Sequence, residues 1–193
     1  MNKIYIVFCL LILSLFNEKN AKAVRIVATV ENRVITDYDV EEFIPIICFF
    51  ENQSGKCNKD EKFSIALMTL IETNLKQVHM SKIQLPENIL DEKSFESYKK
   101  AIFAKKDITK LNKDLLNDYL KSNYIWQIII NSQIRDMKIS YEEKNTYAQE
   151  NNIKLNKNNE AKIEEIILQR RSMELSQALI EKMKKFYLID IKI

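Results

Sequence analysis

The sequence has 193 residues, which suits a single domain, and its 30 basic and 27 acidic residues give a formal net charge of +3. A charge this close to neutral argues against nucleic-acid binding, which needs a clustered basic face. The single glycine and two prolines leave few places for tight turns. They argue against an all-β fold and against a glycine-rich phosphate-binding loop.

Residues 1–23 have the pattern of a secretory signal peptide. A basic residue precedes an apolar run of 13 residues (4–16), and the A-x-A cleavage pattern follows at 21–23. The run is shorter than the roughly 20 residues that span a membrane, so we predict cleavage between Ala23 and Val24, with an uncleaved signal anchor as the alternative. The signal carries three Lys and one Glu, which leaves the mature chain with a net charge of +1. We therefore expect an exported, periplasmic protein.

Two cysteines, Cys48 and Cys57, remain in the mature chain. In an oxidising compartment they could form a disulfide that closes a small loop, and the alternative is one buried and one exposed thiol. The only histidine, His79, lies on a predicted helix far from both cysteines. We therefore predict no metal site and no cofactor.

The mature chain begins with β-prone alternation and continues with helical periodicity. Residues 24–35 predict a short hairpin that turns near Asn32, a residue type that tolerates a left-handed conformation. Thr36 is the predicted N-cap of a first helix, which we expect Pro45 to interrupt. Apolar residues at three- and four-residue steps then predict helices over 61–82, 94–103 and 112–137.

The end of the chain predicts how the domain closes. The polar segment 141–160 predicts a linker with at most one helical turn, around 141–149. Residues 161–186 have the apolar periodicity of a helix, and residues 187–193 alternate as a strand does. This last strand needs a distant partner, and the β-prone N-terminus is the best candidate. The predicted fold class is mainly α, a helical bundle with a small antiparallel sheet formed by the mature N-terminal hairpin and the C-terminal strand. We predict a single domain over residues 24–193. Its core is formed by residues 24–140, and residues 161–193 complete it.

A recognisable motif lies near the mature N-terminus, in VATVENRVITDYDVEEFI at 27–44. Its defining residues are Val27, Ala28, Val30, Asn32, Val34, Ile35, Asp39 and Val40. This motif resembles the start of the SurA-type periplasmic chaperones, which open with V-A-x-V-N-N-x-V-I and continue with D-V in the first helix. Glu31 stands where that family has the first of two Asn residues. Later helices of the family resemble 65–83, 94–103 and 111–130, and its closing segment resembles the C-terminal helix and strand.

The resemblance covers nearly all of the mature chain, with one large departure. The parvulin-type prolyl isomerase modules of the family would lie between Ser140 and about Asn159, and they are absent. The resemblance therefore implies a bare SurA N-terminal domain. That domain would be a periplasmic holdase that binds unfolded outer-membrane or exported proteins without nucleotide, and it would touch the membrane only through its signal peptide or its clients.

Two alternatives stay open beside the holdase. One is a structural or assembly subunit of the cell envelope, whose apolar groove is filled by a fixed partner or by a second copy in a homodimer. The other, less favoured, is a peptidyl-prolyl isomerase. We predict no catalytic residues, because His79 has no recognisable partner. Carboxylate pairs such as Glu41 and Glu42 are adjacent, and adjacent residues do not face each other on a helix.

The aromatic residues offer candidates for a peptide-binding groove. Helix-spaced aromatic side chains usually pack inward, so most of them should belong to the core. A minority should stay exposed, because large exposed apolar patches on soluble proteins mark binding surfaces. The predicted peptide-binding residues are Phe49, Phe50, Tyr124 and Trp126.

Overall fold

The computed structural model describes residues 23–51, 58–86, 88–104, 108 and 111–192. Within these ranges the protein is mainly helical with one small antiparallel sheet, as the sequence predicts. The elements in chain order are β1 (Ile26–Val30), β2 (Arg33–Thr36), α1 (Asp37–Phe50), α2 (Lys59–Lys82), α3 (Glu92–Phe103), α4 (Lys113–Ile134), α5 (Tyr141–Glu150), α6 (Glu160–Phe186) and β3 (Ile189–Ile191).

The two ends of the described chain meet in the sheet. Its strand order is β2-β1-β3, so β1 is central, and β3 runs antiparallel to β1 with Val30 opposite Ile189. Beyond β3, the Lys192 amide donates to the Val27 carbonyl oxygen at 2.8 Å. The predicted pairing of the C-terminal strand with the N-terminal hairpin is confirmed.

The β1–β2 turn places the left-handed residue one position earlier than predicted. Glu31, not Asn32, has a positive φ, of 54°. Val30 pairs with Arg33, so the hairpin has a two-residue turn, and such turns need a positive φ at their first central residue. Glu31 is held there because its amide donates to the Leu188 carbonyl oxygen at 2.8 Å.

Helix α1 continues through Pro45, so the expected interruption is wrong. A proline inside a helix costs about 3 kcal/mol, because it removes one hydrogen bond and crowds the preceding turn. Phe43, Ile44 and Ile46, on either side of Pro45, are buried. Burial of each such side chain contributes about 1.5–3 kcal/mol, so their sum exceeds the cost of the proline. The predicted start is confirmed, since the Asp39 amide donates to Thr36 Oγ1 at 3.1 Å.

Helix α2 lies at the centre of the main core. It packs against α1, α4, α6 and the first two strands, and its buried residues follow the predicted apolar stripe. The C-terminal half of α6 adds Ile180 and Met183 to the same core. The main core therefore joins the N-terminal hairpin to the end of the chain.

The segment predicted to be a linker contains helix α5, of 10 residues. Ser140 caps it by accepting from the Glu143 amide at 3.1 Å. Helix α5 packs on the N-terminal half of α6 and forms a second, smaller apolar cluster with it. Periodicity does not reveal this helix, because its own sequence contributes few apolar side chains to the cluster, whose buried members are Ile139, Ala148, Ile163 and Ile167.

Candidate functional site

A hollow lies where α1, α2, α3, α4 and α6 approach one another. Its volume is about 310 Å³, and aromatic side chains from three helices line it: Phe50 of α1, Tyr98 of α3, and Tyr119 and Trp126 of α4. Lys76 of α2 and Ser176 of α6 complete the opposite wall. Aromatic rings can contact many different apolar side chains, so this hollow is suited to binding a peptide.

A second hollow continues from the first along the seam between α4 and α6. It has a volume of about 260 Å³ and shares Trp126, Gln127 and Ser176 with the first hollow. It extends to Ile130 and to Met173, which is 61% exposed. We call the two hollows together the α4–α6 groove.

The aromatic wall of the groove is supported from behind by further rings. Tyr119 contacts Phe50, with ring centroids 5.7 Å apart, and Tyr98 contacts Tyr124 at 5.1 Å. Tyr124 in turn packs on Phe95 at 5.4 Å. Burial raises the pKa of both Tyr98 and Tyr119, so both phenols are neutral near pH 7. The aromatic part of the groove wall therefore ends in neutral hydroxyl groups.

Trp126 is part of the floor of the groove, not an exposed anchor as predicted. Its side chain is only 3% exposed, and its indole Nε1 donates to Ser176 Oγ at 2.8 Å. A buried tryptophan needs a hydrogen-bond acceptor for its N–H group, and α6 supplies one here. This acceptor lies 50 residues away in the sequence, so it becomes apparent only in the folded chain.

The other three predicted aromatic residues lie at different depths around the same end of the groove. Phe50 lines the groove and is partly exposed. Phe49 lies behind it, half-buried against Phe50 and Phe103. Tyr124 is half-buried behind Tyr98. The structure thus brings Phe50 and Trp126 into one groove, while Phe49 and Tyr124 support its wall.

Several lining residues escaped the sequence analysis because they are polar. Lys76 Nζ donates to Asn123 Oδ1 at 2.8 Å, and both side chains line the groove. Burial lowers the pKa of Lys76, while the nearby charge of Glu72 acts in the opposite direction. Gln127 and Ser176 add an amide and a hydroxyl. A signal in the sequence exists only for Asn123 and Gln127, which lie beside Tyr119, Tyr124 and Trp126 on α4. This signal does not distinguish lining residues from surface residues.

A larger hollow, of about 430 Å³, lies between α5 and α6 and has a different character. Its two arginines pair with acidic residues of the same lining: Arg171 Nη2 lies 2.6 Å from Glu143 Oε1, and Arg170 Nε lies 2.9 Å from Glu174 Oε1. These arginines already have acidic partners, so this surface has less to offer a ligand than the α4–α6 groove.

The remaining predicted sites fall partly outside the described residues. Cys48 is buried and disulfide-bonded, whereas Cys57 lies outside the described residues, so their pairing stays a prediction. Ala23 and Val24 are exposed at the start of the described chain, and the rest of the predicted signal lies outside it. Among the described residues, no group of three His, Cys, Asp or Glu side chains could hold a metal ion. None of the described helices is long and apolar enough to cross a membrane.

Comparison with known proteins adds no family assignment. A scan against models of protein families and a search of curated proteins both gave no match.

Proposed function

We propose that the protein is an exported, periplasmic holdase that binds unfolded segments of outer-membrane or other exported proteins in the α4–α6 groove. The observation that carries the proposal is the lining of this groove, which combines aromatic rings and an exposed methionine with amide and hydroxyl groups. The signal-peptide pattern and the resemblance to SurA-type chaperones support the same proposal.

The chemistry of the lining suits clients of varied sequence. Met173 has a flexible, polarisable side chain that can adapt to different apolar groups. Gln127, whose side chain is exposed, can donate to and accept from the backbone of an extended peptide, whatever the side chains of that peptide are. Binding would therefore depend on apolar contact and on backbone hydrogen bonds, and it would need neither nucleotide nor catalysis.

Suppression of aggregation tests the proposal. An unfolded β-barrel protein is diluted from denaturant, and light scattering is followed with the protein at equal molar ratio. We expect suppression by the natural protein and at least a several-fold loss with Met173→Glu, because this variant places a charge in the apolar groove. Met68→Glu is the matched control, since Met68 is also exposed (41%) but lies on α2 away from the groove.

The two variants separate an effect of the groove from an effect of added charge. Equal loss in both variants, or no suppression by the natural protein, would contradict the proposal. Because both side chains are exposed, we expect neither variant to change the free energy of unfolding by more than about 0.5 kcal/mol.

A second candidate, a structural or assembly subunit, is favoured by a different surface. Large apolar side chains are exposed where the chain ends meet, and such a patch can mark a permanent interface. A constitutive dimer in sedimentation experiments, together with no suppression of aggregation, would favour this second function. The exposed residues of the patch are Val24, Ile26, Phe186, Leu188 and Ile191.

A further inference from the structure

Among the described residues that line the α4–α6 groove, Lys76 is the one cationic side chain. It lies on α2, the central helix, and its Nζ donates to the neutral amide oxygen of Asn123. Its side chain shares the hollow with Phe50 and Tyr98. A partly buried ammonium among aromatic rings has lost water, and a neutral amide replaces only part of that solvation.

The described part of the chain provides no carboxylate within ion-pair distance of Lys76. Glu72 lies one helical turn earlier and influences Lys76 through space, but its Oε1 is 3.2 Å from Lys184 Nζ. Other partly buried lysines do have such partners: Lys62 pairs with Glu51 at 2.5 Å. Lys76 therefore retains the capacity to bind an added anion.

We propose that Lys76 gives the groove a preference for segments in which an Asp or Glu side chain lies beside an aromatic residue. This inference rests on the proposed function. The client carboxylate would accept a hydrogen bond from Nζ and supply the missing counter-charge, while its aromatic neighbour packs against Phe50 and Tyr98. A charge-assisted hydrogen bond in such a water-poor place is stronger than the same contact on an open surface.

An acidic side chain is the favoured source of the carboxylate because of the shape of the site. The groove continues from the hollow at Lys76 along the seam to Met173, so a chain can pass Lys76 and extend further. An unfolded client has one C-terminal carboxylate but many internal segments. A site that is open along a seam selects among these internal segments.

Peptide binding followed by fluorescence anisotropy tests the preference. Two short labelled peptides with blocked termini share one sequence and differ only in Glu or Gln beside a phenylalanine. We expect the Glu peptide to bind the natural protein about fivefold to tenfold more tightly, an effect between that of exposed ion pairs and that of fully desolvated ones. With Lys76→Gln this ratio should fall to about one, because the donor charge is gone.

Two further variants and one further peptide complete the design. Lys76→Arg should retain the preference, and Lys121→Gln, which removes an exposed positive charge from α4, should leave it unchanged. The third peptide carries Gln at the test position and a free C-terminal carboxylate beside the phenylalanine. If this peptide binds more tightly than the Glu peptide, the chain terminus is the preferred occupant and the side-chain assignment is overturned.

The outcomes distinguish this inference from the proposed function. Equal affinity of the natural protein for the Glu and Gln peptides overturns the role of Lys76 and leaves the holdase intact. If none of the peptides binds, both the preference for acidic segments and the proposed holdase function are contradicted. Because the Glu and Gln peptides are compared on the natural protein, the test does not depend on whether Lys76→Gln folds.

Discussion

His79 lies in the last turn of α2, at the junction with the end of the chain. Its imidazole Nδ1 is 3.0 Å from the hydroxyl oxygen of Tyr187, and its ring meets the Trp126 ring edge-on, with centroids 6.2 Å apart. Two cations approach the same junction: Lys182 acts on His79 from α6, and Lys82 Nζ lies 4.4 Å from the Tyr187 ring centre. The pKa of His79 is lowered below its ordinary value of 6.5, mainly by burial and to a smaller extent by the charge of Lys182.

We expect stability to fall as pH falls through about 6.5 and below, because the unfolded chain binds the proton of His79 more readily than the folded chain. Above this range His79 is neutral in both the folded and the unfolded chain, and its contribution to stability is fully present. Denaturant unfolding between pH 7.5 and 5.5 measures the slope of the unfolding free energy against pH. Most carboxylates stay ionised in this range. His79→Gln should reduce the slope.

The imidazole resonances provide a direct check of the His79 pKa. His79 is the only histidine in the chain, so its NMR titration has no competing signal. A pKa above that of an unfolded peptide would contradict the prediction, because protonation would then favour the folded state.

At the scale of elements, the corner between α6 and β3 determines how the chain ends are joined. Tyr187 occupies this corner with 6% of its surface exposed, whereas the next residue, Leu188, is 71% exposed. We expect Tyr187→Ala to cost about 3 kcal/mol of unfolding free energy, because it leaves a cavity of aromatic size. Leu188→Ala is the matched control and should change the free energy by less than about 0.5 kcal/mol. Both are measured by urea unfolding.

Equal effects of the two alanine variants would contradict this account of the corner. Tyr187→Phe separates packing from hydrogen bonding, since it keeps the ring and removes only the hydroxyl that contacts His79. Its cost should be about 1 kcal/mol, the usual net contribution of one hydrogen bond.

The elements also show what a sequence can and cannot predict. The pairing of β1 with β3 was predictable, because an alternating strand at a chain end must find a partner elsewhere. The continuity of α1 was not predictable, because it depends on the burial of the side chains around Pro45 in the folded protein. Helix α5 was predicted only as a single turn around 141–149, because half of its apolar cluster comes from α6, which supplies Ile163 and Ile167.

The candidate site was predictable only in part, for a similar reason. Aromatic residues near α1 and α4 indicated the right region, and Phe50 does line the groove. The orientation and depth of Trp126 depend on its hydrogen bond to Ser176, which lies on a helix distant in the sequence. Polar lining residues such as Lys76 have no sequence signature, because lysines are common on helix surfaces.

At the scale of the whole molecule, α6 links two apolar clusters of very different size. Its C-terminal half belongs to the main core, while its N-terminal half and α5 form the small cluster. Lys144 of α5 adds ion pairs to this small cluster, at 2.6 Å from Glu160 and 3.5 Å from Glu164. Partly exposed ion pairs contribute only about 0–1 kcal/mol, so the small cluster depends mainly on its few apolar contacts.

We therefore expect the small cluster to open without unfolding of the main core. In hydrogen exchange followed by mass spectrometry, amides of α5 should exchange at least about tenfold faster than those in the middle of α2, because local opening breaks fewer contacts. Ile167→Ala should raise the exchange rate of α5 and leave that of α2 unchanged. Leu75→Ala, in the main core, should raise the exchange rate of α2 and leave that of α5 unchanged, because α5 exchanges through its own local opening. Equal protection of α5 and α2 in the natural protein would mean that the two clusters unfold as one unit. The groove lies against the C-terminal half of α6, at Ser176, so its shape should persist while α5 opens.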